Sequence, residues 1–287
     1  MKRSILFGAM AIMSMGAFAQ EGLTSKMGEK YLPESGDWVV GIEARPFLDY
    51  AGNFFGKTTP NVSPSWMEAN PMSITGKMFK DDKTAYRAII GLNFGSSKAT
   101  NLVYDDQFGV TTPDPNKTVT DERTVSTRSI TLGAGIEMRK GSTRLQGYYG
   151  GMGMISMGGS KSEYTYANSM IFTDNPDPTS TDWSTATPIG SPMTFRDLSY
   201  KAGGTFGLDI VGFVGAEYFI LPKISIGAEY QWGIGFSSTG QGETVVEETA
   251  GTAIVTTTTP SKIGKSSSFS LGNGIGYAAF TLNLHFQ

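Results

Sequence analysis

Apolar and polar residues alternate with a period of two along much of the chain. The clearest stretch runs from Ile224 to Phe236, where every second residue, including Tyr230 and Trp232, is apolar and the residues between them are small or polar. Alternation over this length predicts a β-strand with one apolar face and one polar face. The pattern recurs seven more times, so the sequence predicts eight strands.

Short and long connections alternate between these predicted strands. Loops longer than about 15 residues are uncommon in soluble domains, whereas outer-membrane barrels have short periplasmic turns and long extracellular loops. We therefore expect an all-β fold, namely an eight-stranded antiparallel transmembrane β-barrel with this arrangement of turns and loops. The predicted tight turns lie at 80–83, 140–142 and 221–222, and the predicted long loops at 49–70, 96–123, 158–199 and 238–266.

The first 19 residues have the order of a secretory signal peptide. Lys2 and Arg3 precede a short apolar centre, and Ala17 and Ala19 place small residues for cleavage before Gln20. This pattern predicts export, here to the cell outer membrane of a Gram-negative bacterium. The expected organisation is a signal peptide at 1–19, a short periplasmic N-terminal segment at 20–36 and a barrel domain at 37–287.

Composition excludes several other classes of protein. A chain with 11% aromatic residues and a formal net charge of -3 lacks the composition of a disordered protein. The absence of cysteine excludes a disulfide scaffold and a cysteine-ligated zinc site. A sequence pI near 5.3 argues against a nucleic-acid partner. Beyond residue 19, no run approaches the roughly 18 apolar residues that indicate a transmembrane helix.

Taken together, the signal peptide, the eight alternating segments and the long and short connections resemble the small outer-membrane β-barrel family that includes OmpX and the transmembrane domain of OmpA, among porin-family barrels. The apolar alternation at the end of the chain, at Phe280, Leu282, Leu284 and Phe286, is part of this resemblance. The resemblance implies that these residues are a C-terminal assembly signal for the barrel assembly machinery. It also implies contact with outer-membrane lipid and lipopolysaccharide.

Charged residues on the polar faces of the predicted strands form the main candidate site. A glycine two residues before a glutamate recurs four times, for example at Gly135 and Glu137, and alternation places both opposite the apolar face. Side chains fill the interior of an eight-stranded barrel, and unpaired charges there would be costly. We therefore expect a salt-bridged network in the lumen. Its predicted members are Glu43, Arg45, Lys77, Arg87, Glu137, Arg139, Asp209, Glu217 and Glu229.

The sequence gives little support for catalysis or for a bound group. His285 is the only histidine, and no serine-hydrolase elbow or zinc-protease motif is present. The scattered loop acids match no calcium-loop motif. We expect no enzymatic activity, no catalytic residues, no cofactor and no metal site, although a mechanism that uses only paired carboxylates stays open.

The predicted function is a non-enzymatic barrel with a structural or surface-interaction role. Its long polar loops would contact a surface ligand or an envelope protein, because contact specificity commonly lies in loops. The predicted loop at 158–199 contains three candidate ligand contacts, Tyr164, Tyr166 and Trp183. The simpler interpretation is that these rings pack within the loop. The alternatives are a narrow porin-like channel, an accessory barrel subunit of a larger outer-membrane complex, and a lipid-modifying enzyme.

Overall fold

A computed structural model describes residues 23–25, 27–43, 53–56, 72–107, 109–112, 114–185, 189–261, 264–272 and 279–287. The regular secondary structure of this part of the chain is β-structure apart from one helical turn at 53–56. None of the helical residues within these ranges forms a helix long and apolar enough to cross a membrane. The predicted signal peptide, with Ala17, Ala19 and Gln20, lies outside the described residues.

Fourteen strands occur in the described part of the chain. In chain order they are β1 (Trp38–Glu43), β2 (Met72–Asp81), β3 (Thr84–Tyr104), β4 (Thr118–Lys140), β5 (Leu145–Thr165), β6 (Thr179–Ser180), β7 (Ser191–Pro192), β8 (Phe195–Lys201), β9 (Thr205–Leu221), β10 (Ile224–Thr239), β11 (Glu243–Ala250), β12 (Ala253–Pro260), β13 (Ser266–Gly272) and β14 (Ala279–Phe286).

Antiparallel pairing joins most of these strands into one large sheet. From β5, hydrogen-bonded neighbours follow in the order β4, β3, β2, β1, β14 and β10. Strand β9 pairs with β10 along one edge and with β5 along the other, so the series of pairings returns to the strand from which it started. Strand β13 pairs with residues 233–239 of β10 and β14 with residues 224–229, so the two lie one after the other along β10.

The two faces of the sheet differ in polarity as the alternation predicts. In β10, Tyr230 and Trp232 keep 48% and 51% of their surface exposed, whereas Glu229 and Gln231 keep 4% and 5%. The same difference occurs in β3, β4 and β9, where apolar side chains are exposed and charged side chains are buried. We call the exposed apolar side the outer face and the opposite side the inner face.

Short connections lie where the sequence predicts them, but the predicted long loops are partly wrong. Only 105–117 separates β3 from β4, in place of the predicted loop at 96–123, because both strands continue into it. The predicted loops at 158–199 and 238–266 also contain strands. Strand β8 begins in the first, and the paired β11 and β12 lie in the second. The extension of β4 and the paired β11 and β12 are rich in threonine, whose branched side chain favours strands without producing an apolar face.

The chain before β1 lies against the end of the sheet that carries the tight turns. The Arg144 guanidinium lies 3.6 Å from the centre of the Tyr31 ring. The Gly36 N–H donates to the Phe79 carbonyl and the Phe79 N–H donates to the Asp37 carbonyl, at 2.8 and 2.9 Å. These contacts fix residues 31–37 beside the start of β1, next to a small apolar cluster at that end of the sheet.

Candidate functional site

Six charged residues meet on the inner face near the tight turns. They come from β2, β3, β4, β9 and β10, and each retains 5% or less of its side-chain surface. Alternation within each strand carries them to the same side, and antiparallel pairing brings the strands together. We call this group the charge cluster; its members are Lys77, Arg87, Glu137, Arg139, Glu217 and Glu229.

Ion pairs link these six residues across the inner face. Lys77 Nζ lies 2.9 Å from Glu137 Oε2 and 3.6 Å from Glu217 Oε2. The Arg87 guanidinium donates two hydrogen bonds to Glu229, one of them at 3.1 Å. Arg139 donates to Glu217 and lies 3.4 Å from Glu137 Oε1. Three cations therefore meet three carboxylates, which leaves no net charge in the cluster.

Aromatic rings pack against all three cations. Lys77 Nζ lies 4.8 Å from the centre of the Tyr148 ring, and the Arg87 guanidinium lies 4.5 Å from that of Phe213. Arg139 lies between Phe79 and Phe219, at 5.2 and 5.7 Å from their ring centres. Rings in these positions exclude water and attract the cations through their π-faces.

Glycine makes room for one of these rings. A Cβ added to Gly215 would lie 2.4 Å from Cζ of Tyr148, which is too close for any side chain. Gly215 stands directly opposite Tyr148 in the pairing of β5 and β9. The glycine that precedes Glu217 thus allows the Tyr148 ring to lie over the backbone, beside Lys77 and Arg139.

A polar group surrounds Glu217 on its other side. Asn283 Nδ2 donates to Glu217 Oε1 at 2.8 Å, and the Ser225 hydroxyl also donates to this carboxylate. His285 Nε2 lies 2.9 Å from Ser225 Oγ and 3.4 Å from Glu217 Oε1. A catalytic triad places the serine and the acid on different ring nitrogens, whereas here Nε2 faces both. Ser225 is also fully buried, so this geometry positions Glu217.

The remaining predicted members of the network are placed differently. Asp209 is half-buried further along β9 and makes no ion pair with the residues that the structure describes. Arg45 lies outside the described residues, and only the backbone of Glu43 is described. The predicted assembly signal lies on the outer face of β14, where Phe280, Leu284 and Phe286 are exposed and Leu282 is half-buried.

A second polar cluster connects the predicted loop at 158–199 to the ends of β3 and β4 that lie beyond the apolar outer face. Asp121, which is fully buried on β4, accepts hydrogen bonds from the N–H groups of Ala167 and Thr181 at 2.9 and 2.8 Å. Asn168 Nδ2 donates to the carbonyls of Tyr104 and Thr179 at 2.7 and 2.8 Å. These bonds hold residues 167–181 against β3 and β4.

Arg196 completes this second cluster from β8. Its Nη1 donates to the Asn168 carbonyl at 2.8 Å and to Ser180 Oγ at 3.0 Å, and its Nε donates to Glu247 Oε2 at 2.9 Å. The guanidinium lies 4.6 Å from the centre of the Tyr166 ring, and burial raises the pKa of that phenol. We call Asp121, Asn168, Ser180, Arg196 and Glu247 the outer cluster.

Of the three predicted ligand contacts in this segment, Tyr164 and Trp183 pack against each other, whereas Tyr166 packs against Arg196. The rings of Tyr164 and Trp183 have centres 6.3 Å apart, and the Arg123 guanidinium lies 5.2 Å from the Trp183 ring. The sequence pattern did not single out Arg123 and Arg196, because both lie in segments predicted to be loops. It also missed Tyr148, Phe213 and Phe219, although the last two share a strand face with Glu217.

Among the described residues, no group of three or more histidine, cysteine, aspartate or glutamate side chains could hold a metal ion. No protein-family model matches the chain, and no curated protein matches it. Solved structures that resemble it include the crystal structure of the outer membrane protein OprG from Pseudomonas aeruginosa. That comparison has 9% identity and a TM-score of 0.34, and covers 90% of this chain and 99% of that one. Similarity at this level assigns neither a family nor a function, so the resemblance to OmpA and OmpX stays a prediction.

Proposed function

We propose that the chain is an eight-stranded outer-membrane β-barrel with an interior closed by the charge cluster. Its wall consists of β1 to β5, β9, β10 and the β13 and β14 pair taken as one strand. The circular order of antiparallel pairs supports a closed wall, because the series returns to its starting strand. A closed wall leaves no unpaired strand edge in the lipid, which a membrane requires.

The polarity of the two faces carries the proposal. Large apolar side chains are exposed around the sheet, while lysine, arginine and glutamate side chains are buried inside it. A water-soluble domain would place these groups the other way round, since contiguous exposed apolar surface of this extent is uncommon. Lipid contact explains the outer face, and mutual pairing explains the inner one.

The proposed role is structural or surface-interacting and non-enzymatic. The charge cluster lies at the end with the tight turns, which in outer-membrane barrels faces the periplasm. The outer cluster lies at the opposite end, where it gives the long segments a fixed shape. A fixed surface outside the cell is suited to contact with a surface ligand or an envelope protein, because little ordering is needed on binding.

A narrow channel is the second candidate function. Inner-face residues beyond the charge cluster, among them Gly95, Ser97 and Thr127, are small and exposed, so the interior is wider there. Opening the charge cluster would connect this space to the other end of the barrel. The pairing of all three cations with carboxylates favours the closed state.

Two measurements test the proposed function. The folded protein in detergent should migrate differently on SDS gels before and after boiling, because a closed barrel resists SDS until heated. In planar bilayers, heat-modifiable protein should give no stable single-channel conductance. Unchanged mobility would contradict the barrel, and large reproducible conductance would favour the channel.

A further inference from the structure

We propose that three basic residues on the outer face, Arg128, Lys161 and Lys201, bind the phosphate of an anionic lipid headgroup. The inference rests on the proposed barrel and names a lipid contact on its surface. We call these three residues the basic patch. All three side chains are exposed, and they belong to the neighbouring strands β4, β5 and β8.

Strand register brings the basic patch together. Lys161 on β5 stands directly opposite Lys201 on β8 and opposite Ser126 on β4. Arg128 is two residues from Ser126, so it is the diagonal neighbour of Lys161 on the same face. Arg128 also stands opposite Phe94 of β3, whose exposed ring identifies this face as the outer one.

The patch lies where the apolar outer face ends. On β4, exposed apolar residues run from Met138 to Ile130, and Arg128 is the next residue on that face. From Met138 to Arg128 is ten residues, or about 33 Å along a strand at about 3.3 Å per residue. At a strand tilt of about 40° this spans roughly 25 Å, the height of the apolar band of outer-membrane barrels. Arg128 therefore lies at the level of the lipid headgroups.

An open pocket of about 600 Å³ adjoins the three cations. It lies where β5 changes its hydrogen-bonded partner. Residues of β5 up to Gly158 pair with β9, and residues from Lys161 onward pair with β8. Two glycines, Gly159 and Gly204, line the pocket at this fork. The lining includes Phe94, Arg128, Gly159, Lys161, Lys201 and Gly204.

Charges around the patch leave it positive. Lys161 forms an exposed ion pair with Glu163 at 2.6 Å, and Glu243 stands opposite Lys201 in the pairing of β8 and β11. Arg128 and Lys201 make no ion pair with any residue in the described part of the chain. The three cations line the pocket, whereas Glu163 and Glu243 are not among its lining residues, so two cations without an ion pair are available to an anion.

An anionic lipid fits this combination better than a free anion does. Arginine and lysine bind phosphate through charge-assisted hydrogen bonds, and their long stems lie along apolar surface while the charged ends reach the headgroup region. Phe94 and the apolar band directly below the patch provide contact for acyl chains. The expected ligand is therefore an amphiphile with a phosphate-bearing headgroup.

Native mass spectrometry of the folded protein tests this site. Detergent micelles would contain phosphatidylglycerol, lipopolysaccharide or zwitterionic phosphatidylcholine as the probe. We expect the two anionic lipids to be retained and R128Q/K161Q/K201Q to bind them roughly tenfold more weakly or worse, since each basic residue near a headgroup contributes to attraction. A matched control, K30Q/K83Q/K117Q, removes three exposed cations elsewhere and should bind as the unmodified protein does.

Equal lipid retention by the patch variant and the control would overturn the proposal, as would equal retention of phosphatidylcholine. Heat-modifiable mobility of each variant separates loss of the site from loss of the barrel. If the patch variant does not fold, lipid retention by the unmodified protein is measured at low and high ionic strength instead. Retention of the anionic lipid must fall at high ionic strength, because salt screens exposed charges. Retention that is independent of salt would contradict a phosphate contact.

Discussion

At the scale of single residues, the charge cluster depends on complete pairing. A buried charge is costly when it loses its partner, whereas a fully paired group is tolerated. Glu217 has the most contacts, since it meets Lys77, Arg139, Asn283 and Ser225. Removing its charge should therefore affect several neighbours at once.

Substitutions at Glu217 and Arg139 test this dependence. We expect E217Q and R139Q each to lower the free energy of unfolding by about 3 kcal/mol, because each leaves one uncompensated charge in the buried cluster. The double variant E217Q/R139Q should cost at least about 1 kcal/mol less than the sum, since the two residues are in contact. Urea unfolding in lipid vesicles, followed by tryptophan fluorescence, measures these values.

Lys140 provides the control for this cycle. It is the neighbour of Arg139 in sequence, but its side chain is exposed. K140Q should change the free energy of unfolding by less than about 0.5 kcal/mol. Strict additivity of E217Q and R139Q would show that the two do not act as a pair.

Asp105, in the loop between β3 and β4, gives a prediction about pH. Hydrogen bonds from Lys117 Nζ and the Gln107 N–H hold its pKa below the ordinary value. A lowered folded-state pKa stabilises the loop above the unfolded-state pKa, and this contribution is lost as pH falls through the folded-state pKa. We expect K117Q to raise the pKa of Asp105, measured by NMR titration of labelled aspartate. An unchanged pKa would contradict the role of Lys117.

Alternation in the sequence predicted the inner-face position of every charge-cluster residue. It could not predict the pairs, since Arg87 and Glu229 are 142 residues apart and meet only through the order of the strands. The aromatic rings were missed for a related reason. Phe213 and Phe219 occupy polar-face positions, and periodicity alone gives no reason for a ring there until the cations beside them are known.

At the scale of elements, strands continue beyond the apolar outer face. The alternating apolar residues of β3 end at Phe94, yet the strand continues to Tyr104. Residues 95–101 have no large apolar side chain on either face, so the period-two pattern predicted a loop there. Backbone pairing with β4 keeps β3 in strand form as far as Tyr104, which stands opposite Thr118, although no alternation in the sequence predicts a strand there.

The outer face of β10 can be tested by placing a charge on it. Ala228 is exposed between Ala216 and Phe280 of the neighbouring strands. A228R should lower the free energy of unfolding in vesicles by roughly 2 to 4 kcal/mol, because arginine is costly in the hydrocarbon region. The control T127R places arginine at an exposed inner-face position and should cost markedly less. Equal costs, or a higher cost for T127R, would contradict this assignment of the faces.

Arg196 connects β8 to β11 and to residues 168–180, and its loss should make local opening of this region more frequent. R196Q removes the guanidinium that bonds Asn168, Ser180 and Glu247. We expect proteinase K to cleave residues 166–197 of the folded variant roughly tenfold faster or more, because that segment opens locally more often. K98Q, which removes only an exposed ion pair with Glu122, should leave the cleavage rate unchanged. Equal rates for R196Q and the unmodified protein would contradict the role of the outer cluster.

At the scale of the whole molecule, one arrangement explains the composition. The apolar residues, 39% of the chain, occupy alternate positions and cover an outer face without forming a long run. Much of the strand-borne charge pairs on the inner face, which leaves the apolar band free of charge from Ile130 to Met138 on β4. Charge returns at Arg128, where lipid headgroups are expected.

A cysteine scan of β10 tests the central claim, that this sheet is a membrane barrel with lipid outside and paired charges inside. The chain contains no cysteine, so single cysteines at 226–236 carry a spin label without interference. In lipid vesicles, we predict that labels at the outer-face positions, for example Ile226, Ala228 and Ile234, are accessible to oxygen and shielded from a water-soluble relaxation agent. Labels at the inner-face positions 227, 229, 231, 233 and 235 should not be accessible to oxygen. Loss of this period-two pattern, or access of the water-soluble agent to the outer-face positions, would contradict the account.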